Sequence, residues 1–99
     1  GMNTANLILQ QLGGAGKLTA LIGAHSFSGE QDRLRFKFKA RASKGIKCIN
    51  IVLEPNDTYR VEFWAIRGYV PEKVAEHCDI YCDGLIPLVE KVTGLAVRL

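Results

Sequence analysis

Residues 33–41, Arg-Leu-Arg-Phe-Lys-Phe-Lys-Ala-Arg, alternate cationic and apolar side chains without a break. Successive side chains of a strand point to opposite faces, so this period predicts a strand. Leu34, Phe36, Phe38 and Ala40 take one face, and Arg33, Arg35, Lys37, Lys39 and Arg41 take the other. A strand this two-sided needs a sheet with one packed face and one wet face, the usual state of an antiparallel sheet.

The following residues extend the same pattern. Ala42 to Gly45 is a loop, and 46–54 predicts a second strand with Ile49, Ile51 and Leu53 inward. Glu54-Pro55-Asn56-Asp57 is a turn, because proline presets φ at its second position and Asn and Asp bond their own backbone. A third strand at 58–66 turns Tyr59, Val61, Phe63 and Ala65 inward. A one-residue slip would flip a whole strand, so inward residues must oppose inward residues. The loop at 55–57 then sets Leu53 against Tyr59, Ile51 against Val61 and Ile49 against Phe63. Phe38 is set against Ile49, and Phe36 against Ile51. A run at 73–81 alternates less cleanly, with Val74, Cys78 and Ile80 on one side; it reads as a fourth strand, with a helix as the alternative.

Helical spacing appears at the two ends of the chain. Asn3 or Thr4 can cap a first helix carrying Ala5, Ile8, Leu9 and Leu12, which Gly13-Gly14 ends. A second runs through Leu18, Leu21 and Ile22 to Gly23, and the polar 24–32 is a loop anchored by Phe27. Asp83 is the expected cap of a last helix with Leu85, Leu88, Val89 and Val92. Pro87 fits its first turn, where no N–H is needed, and Thr93-Gly94 ends it. Leu95, Val97 and Leu99 alternate in a tail that can dock or pair. The expected fold is α+β: two short N-terminal helices, a three- to four-stranded antiparallel meander, and a C-terminal helix packed on one face of the sheet. Leu34, Phe36, Phe38, Ile49, Ile51, Leu53, Val61 and Phe63 form the expected core. Residues 2–99 form one domain, and Gly1, which precedes Met2, reads as a cloning remnant.

An apolar content of 47% with 23% charged residues excludes wholesale disorder. No apolar run approaches the roughly 18 residues of a membrane-spanning helix, and the N-terminus has no export-signal pattern. With Cys48, Cys78 and Cys82 as the only cysteines, reduced thiols in a cytoplasmic protein are expected.

The wet face carries the functional expectations. The predicted register makes rows of Lys39-Cys48-Trp64, Lys37-Asn50-Glu62 and Arg35-Val52-Arg60, with Ile46 and Ile66 beyond the first. The apolar end, Ile46, Cys48, Trp64 and Ile66, is a candidate surface for a protein partner or a second copy as a homodimer, with Trp64 as anchor. The tail or the 67–72 loop covers it in the competing reading. Arg33, Arg35, Lys37, Lys39 and Arg60 with Trp64 are the alternative: cations track phosphate while a ring stacks on a base of single-stranded nucleic acid. Glu62 and Asn50 interrupt that cationic stripe, and an antiparallel sheet also needs polar residues on its wet face for solubility alone.

Other signals carry less chemistry. Gly13-Gly-Ala-Gly-Lys-Leu-Thr19 is not a phosphate loop, since Gln11 stands where the first glycine belongs and Leu18 where the hydroxyl belongs. His77, Cys78 and Cys82 fall short of a four-ligand metal set, so neither a metal nor a cofactor is expected. His25-Ser26 pairs a base with a hydroxyl, but nothing nearby supplies an orienting acid. A small enzyme built around His25 or His77 is thus the least favoured reading, and no catalytic activity is expected.

Leu12-Gly13-Gly14, Gly23-Ala24 with Phe27, Leu34-Arg-Phe-Lys-Phe38, Lys44-Gly-Ile46, Asp57-Thr-Tyr-Arg-Val-Glu-Phe63, Arg67-Gly68 and Thr93-Gly-Leu95 together resemble a group of short proteins of unknown function encoded in phages and bacterial mobile elements. The likeness extends over residues 2–99, and its shared positions read as caps, a turn and a core stripe. It implies an α+β accessory protein without an assigned activity. His25-Ser26 stands where that group carries an Ala/Lys-Asn-like stretch, so the resemblance lends His25 no role.

Overall fold

The computed structural model describes residues 3–98; Gly1, read as a remnant, Met2, and Leu99, read as part of the tail, lie outside them. The side chain of Asn3 accepts a hydrogen bond from the Asn6 amide at 2.8 Å and caps α1 (Thr4–Gln11). Helix α2 (Ala15–Ile22) stops at Gly23, whose left-handed φ of 67° would strain any residue with a Cβ. Five strands follow: β1 (His25–Glu30), β2 (Arg33–Lys37), β3 (Ile46–Leu53), β4 (Tyr59–Arg67) and β5 (Val70–Ile80). Helix α3 (Leu85–Thr93) ends at Gly94, also left-handed. Among the described residues the strands form one antiparallel sheet in the order β1-β2-β3-β4-β5.

The inner face of the sheet packs on all three helices. Leu34, Phe36, Ile49, Ile51, Val61 and Phe63 are buried there with Ile8, Leu12, Leu18, Ile22, Leu85 and Val89. Phe38 is buried in the same core just beyond β2, and Leu53 is half-buried at its margin. Tyr59 donates its hydroxyl to Gln11 at 2.7 Å, which ties β4 to α1. The chain's end docks on this side: Val97 is in the core, and its amide bonds Glu90 at 3.0 Å.

The β3–β4 register is the expected one, with Leu53 opposite Tyr59, Ile51 opposite Val61 and Ile49 opposite Phe63. The turn between them is closed by Glu54 and Thr58, whose amide and hydroxyl both donate to Asn56. The β2–β3 register is displaced by two residues: Phe36, not Phe38, opposes Ile49, and Leu34 opposes Ile51. A two-residue slip keeps every side chain on its face, so alternation cannot detect it. Strand β2 ends at Lys37 because the amides of Lys39 and Ala40 bond carbonyls at the end of α2 instead.

Three further expectations are corrected. Residues 25–30 are an edge strand rather than a loop, although Phe27 does anchor it by stacking on Phe36 at 5.5 Å between ring centroids. Residues 70–80 are a strand, as expected over 73–81, with Val74 and Ile80 against the core. It is bulged twice against β4, however, so Ala75, His77 and Ile80 oppose Phe63, Val61 and Tyr59, and Cys78, expected inward, is exposed. Asp83 does not cap α3; it lies in a short 3-10 turn, Cys82–Gly84, and Gly84 holds the cap position.

Gly29 records how tightly α1 lies on β1, since a Cβ there would come within 2.5 Å of the Ala5 Cβ. Gly29→Ala is expected to destabilise by about 1–3 kcal/mol, the usual cost of overpacking. Combining it with Ala5→Gly should cost less than the sum of the single changes in denaturant unfolding. Strictly additive losses would mean that helix and strand do not touch at this point.

Candidate functional site

Among the described residues no helix covers the outer face of the sheet, yet its middle is scarcely exposed. Cys48, Asn50 and Glu62 are each only 7% exposed. They form the floor of a groove of about 570 Å³. One wall is Arg33, Arg35 and Lys37 of β2, with Ser26 and Ser28 of β1 behind them. Trp64 and Ile66 of β4, with Tyr69 and Pro71 from the β4–β5 hairpin tip, form the other. Bulges in β1, β3 and β5 contribute to this shape, because an extra residue bends its strand and sharpens the local twist.

The observed rows across the face read Lys37-Cys48-Trp64, Arg35-Asn50-Glu62 and Arg33-Val52-Arg60. Lys39 has left its expected row and does not line the groove, a consequence of the two-residue displacement. Ile46 was expected on this face and is instead fully buried in the core opposite Ala65. A bulge between Ile46 and Cys48 moves it: the extra residue, Lys47, lets Ile46 turn inward while Cys48 still faces out. The apolar end of the outer face is therefore Trp64 and Ile66, with Tyr69 and Pro71 added from the hairpin tip.

Glu62 is the electrostatic centre of the floor. Its Oε1 accepts from Asn50 Nδ2 at 3.0 Å and from Trp64 Nε1 at 3.1 Å, and its Oε2 accepts from Arg60. Arg60 also holds Glu54 at 2.7 Å and approaches Glu76 at 3.9 Å. Burial alone would raise the Glu62 carboxyl, but the hydrogen bonds from Asn50 and Trp64 and the charge of Arg60 outweigh it. The group is held below the ordinary carboxylate value and stays ionised. The carboxylate also orients its neighbours. It requires Asn50 to present its amide N–H, which leaves Asn50 Oδ1 buried without a donor. It leans the indole of Trp64 along β4 toward Glu62.

This network changes the charge balance of the face. Arg60 is engaged by three acids and is not a free cation for a ligand. Glu62 no longer interrupts a cationic stripe, since its charge is met from within the floor. Arg33, Arg35 and Lys37 have no ion pair among the described residues. The groove is therefore cationic along one wall, neutralised at its floor and aromatic along the other wall. Tyr69, fully exposed at the hairpin tip, is the second ring, and a lone Tyr in a turn carried no periodic signal that would have singled it out.

The remaining chemical candidates are dispersed. Burial raises the Cys48 thiol against the pull of Arg35 and Lys37, so it is neutral and a poor nucleophile near neutral pH. His25 Nδ1 lies 2.8 Å from Ser26 Oγ, but among the described residues no carboxylate orients the ring. His77 packs edge-on to Phe63, outside the groove. No group of three or more His, Cys, Asp or Glu among the described residues could hold a metal ion. No helix among them is long and apolar enough to cross a membrane. No family model matches this chain, and no curated protein and no solved structure matches it.

A carboxylate whose value is depressed by folding stabilises the protein above its unfolded value, about 4.3 for Glu. That contribution is lost as pH falls through the lower folded value. Between pH 7 and pH 3 the wild type should therefore lose more unfolding free energy than Glu62→Gln, and Trp64 emission should shift over the same acid range. Identical acid sensitivity in the two proteins would count against the network.

Proposed function

We propose that the groove binds a single strand of nucleic acid, without catalysis, in the manner of an accessory protein. The observation that carries this reading is the placement of three unpaired cations on β2, two strands from the rings. Two interstrand steps separate them by about 9.6 Å across the floor. Arg33, Arg35 and Lys37 recur every second residue, about 6.7 Å apart along the strand. A chain of phosphates laid along β2 would leave its bases over the floor and against Trp64 and Tyr69. A duplex keeps its bases stacked inside and could not use those rings, whereas an unpaired strand can.

A protein partner or second copy is the other reading, and the exposed hairpin tip favours it. Ile66, Tyr69 and Val70 are all exposed there. Two of the four residues first assigned to that surface no longer support it, since Ile46 is in the core and Cys48 is at the floor of the groove. An apolar partner would also leave three desolvated cations without counter-charge, which is costly.

Trp64 is the chain's single tryptophan and reports on the groove directly. Titration with unstructured single-stranded DNA or RNA at low salt should quench its emission. The logarithm of the affinity should fall with log salt at a slope of about −2, as three phosphate contacts require. Lys37→Glu should weaken binding at least tenfold. Trp64→Ala, followed through a labelled strand, should lose about 1–3 kcal/mol. Flat fluorescence with no binding of the labelled strand overturns the proposal. Equal competition by poly-aspartate would replace it with an acidic protein partner, since such a chain has no bases to stack.

A further inference from the structure

Beyond the groove, cations without an acidic partner among the described residues gather at one end of the sheet. Successive strands reverse, so the starts of β3 and β5 lie at the same end of the sheet as the ends of β2 and β4. That end carries Lys37, then Lys39 and Arg41 in the connection from β2, Lys44 in the short turn Ser43–Gly45, and Lys47 at the β3 bulge. Lys47 reaches back to the Lys39 carbonyl at 3.3 Å, so these two residues adjoin. Arg67 and Glu72 cancel one another there at 2.6 Å. Lys39, Arg41, Lys44 and Lys47 have no acidic partner among the described residues. The opposite end is anionic, with Glu30 and Asp32 in the first hairpin, Glu54 and Asp57 in the second, Asp79 at the end of β5 and Asp83 after it. Among the described residues of the sheet only Arg33 and Arg60 oppose them, and Arg60 is already held by Glu54.

We infer that the ligand is a continuous strand longer than the groove, which leaves it past Lys37 and runs over Lys39, Arg41, Lys44 and Lys47. This rests on the single-strand reading above and adds to it a length and a direction. A mononucleotide or a short oligomer would be fully served by Arg33, Arg35 and Lys37 and would gain nothing from four more cations. A strand cannot leave by the other end without passing a row of carboxylates. The placement of Lys44 also fits a conformational constraint. Its φ of 57° is left-handed, as is that of Gly45, so the loop that presents it is held in a conformation an extended connection would not adopt.

Oligothymidylates of four and twelve nucleotides, labelled at one end, separate the two proposals. The four-mer should bind the groove with the slope of about −2. The twelve-mer should bind at least tenfold more tightly, with a slope steepening toward about −5 as seven phosphates are engaged. Lys44→Gln/Lys47→Gln should remove most of that gain while leaving four-mer binding within twofold, and its melting curve confirms that it folds. Glu30→Lys, at the anionic end, should leave the gain unchanged. Equal affinity for the two lengths, or a gain untouched by the double variant, overturns the extended track and leaves the groove reading standing. A larger effect of Glu30→Lys than of the double variant places the exit at the other end and overturns it as well. No binding of either oligomer removes the groove reading and this inference together.

Discussion

The β3–β4 hairpin is the constraint on which the rest of the molecule depends. Its turn bonds hold Leu53 against Tyr59, and from there each inward pair and each outward pair follows in register as far as Cys48 and Trp64, where the bulge at Lys47 begins. On the inner side this gathers Ile49, Ile51, Val61 and Phe63 into the surface on which the helices pack. On the outer side the same register sets Asn50 beside Glu62 and Cys48 beside Trp64. Core and groove are therefore two faces of one pairing, and a slip of one residue would exchange them.

On the outer face, burial and charge work against each other, and the balance decides what the groove can take. A carboxylate as little exposed as Glu62 is tolerated only if its charge is met locally. Arg60, Asn50 and Trp64 meet it, which removes Arg60 from the set of free cations and Glu62 from the set of repulsive anions. The indole is oriented by the same bonds that neutralise the floor. The β2 cations have no such partners among the described residues and are left facing a neutral floor, so an anion approaching them meets little opposing charge.

Much of the core was legible in the chain, because burial of one sheet face writes itself as alternation. Phe36, Ile49, Ile51, Val61 and Phe63 announce themselves in that way, as do the helical stripe of α1 and the glycine stops at Gly23 and Gly94. Strand β1 did not, because an edge strand with one partner and little core contact needs no apolar period beyond Phe27. The β2–β3 pairing was read two residues out, since such a shift conserves the faces. Ile46 was misplaced because a bulge adds a residue without any compositional mark.

The sequence by itself determined that there is a two-sided antiparallel sheet, that Ile49 and Ile51 of β3 and Tyr59, Val61 and Phe63 of β4 face inward, and that Arg33, Arg35, Lys37 and Trp64 share the outer face. Those facts follow from local periodicity and a tight turn, which act over a few residues. Only the tertiary structure decided which cations remain free, that Tyr69 joins Trp64 on one wall, and that Lys39, Arg41, Lys44 and Lys47 gather at one end while carboxylates gather at the other. Those depend on bulges, on the competition of the end of α2 for the amides of Lys39 and Ala40, and on the reversal of successive strands. Such features relate residues far apart in the chain, and no local period records them.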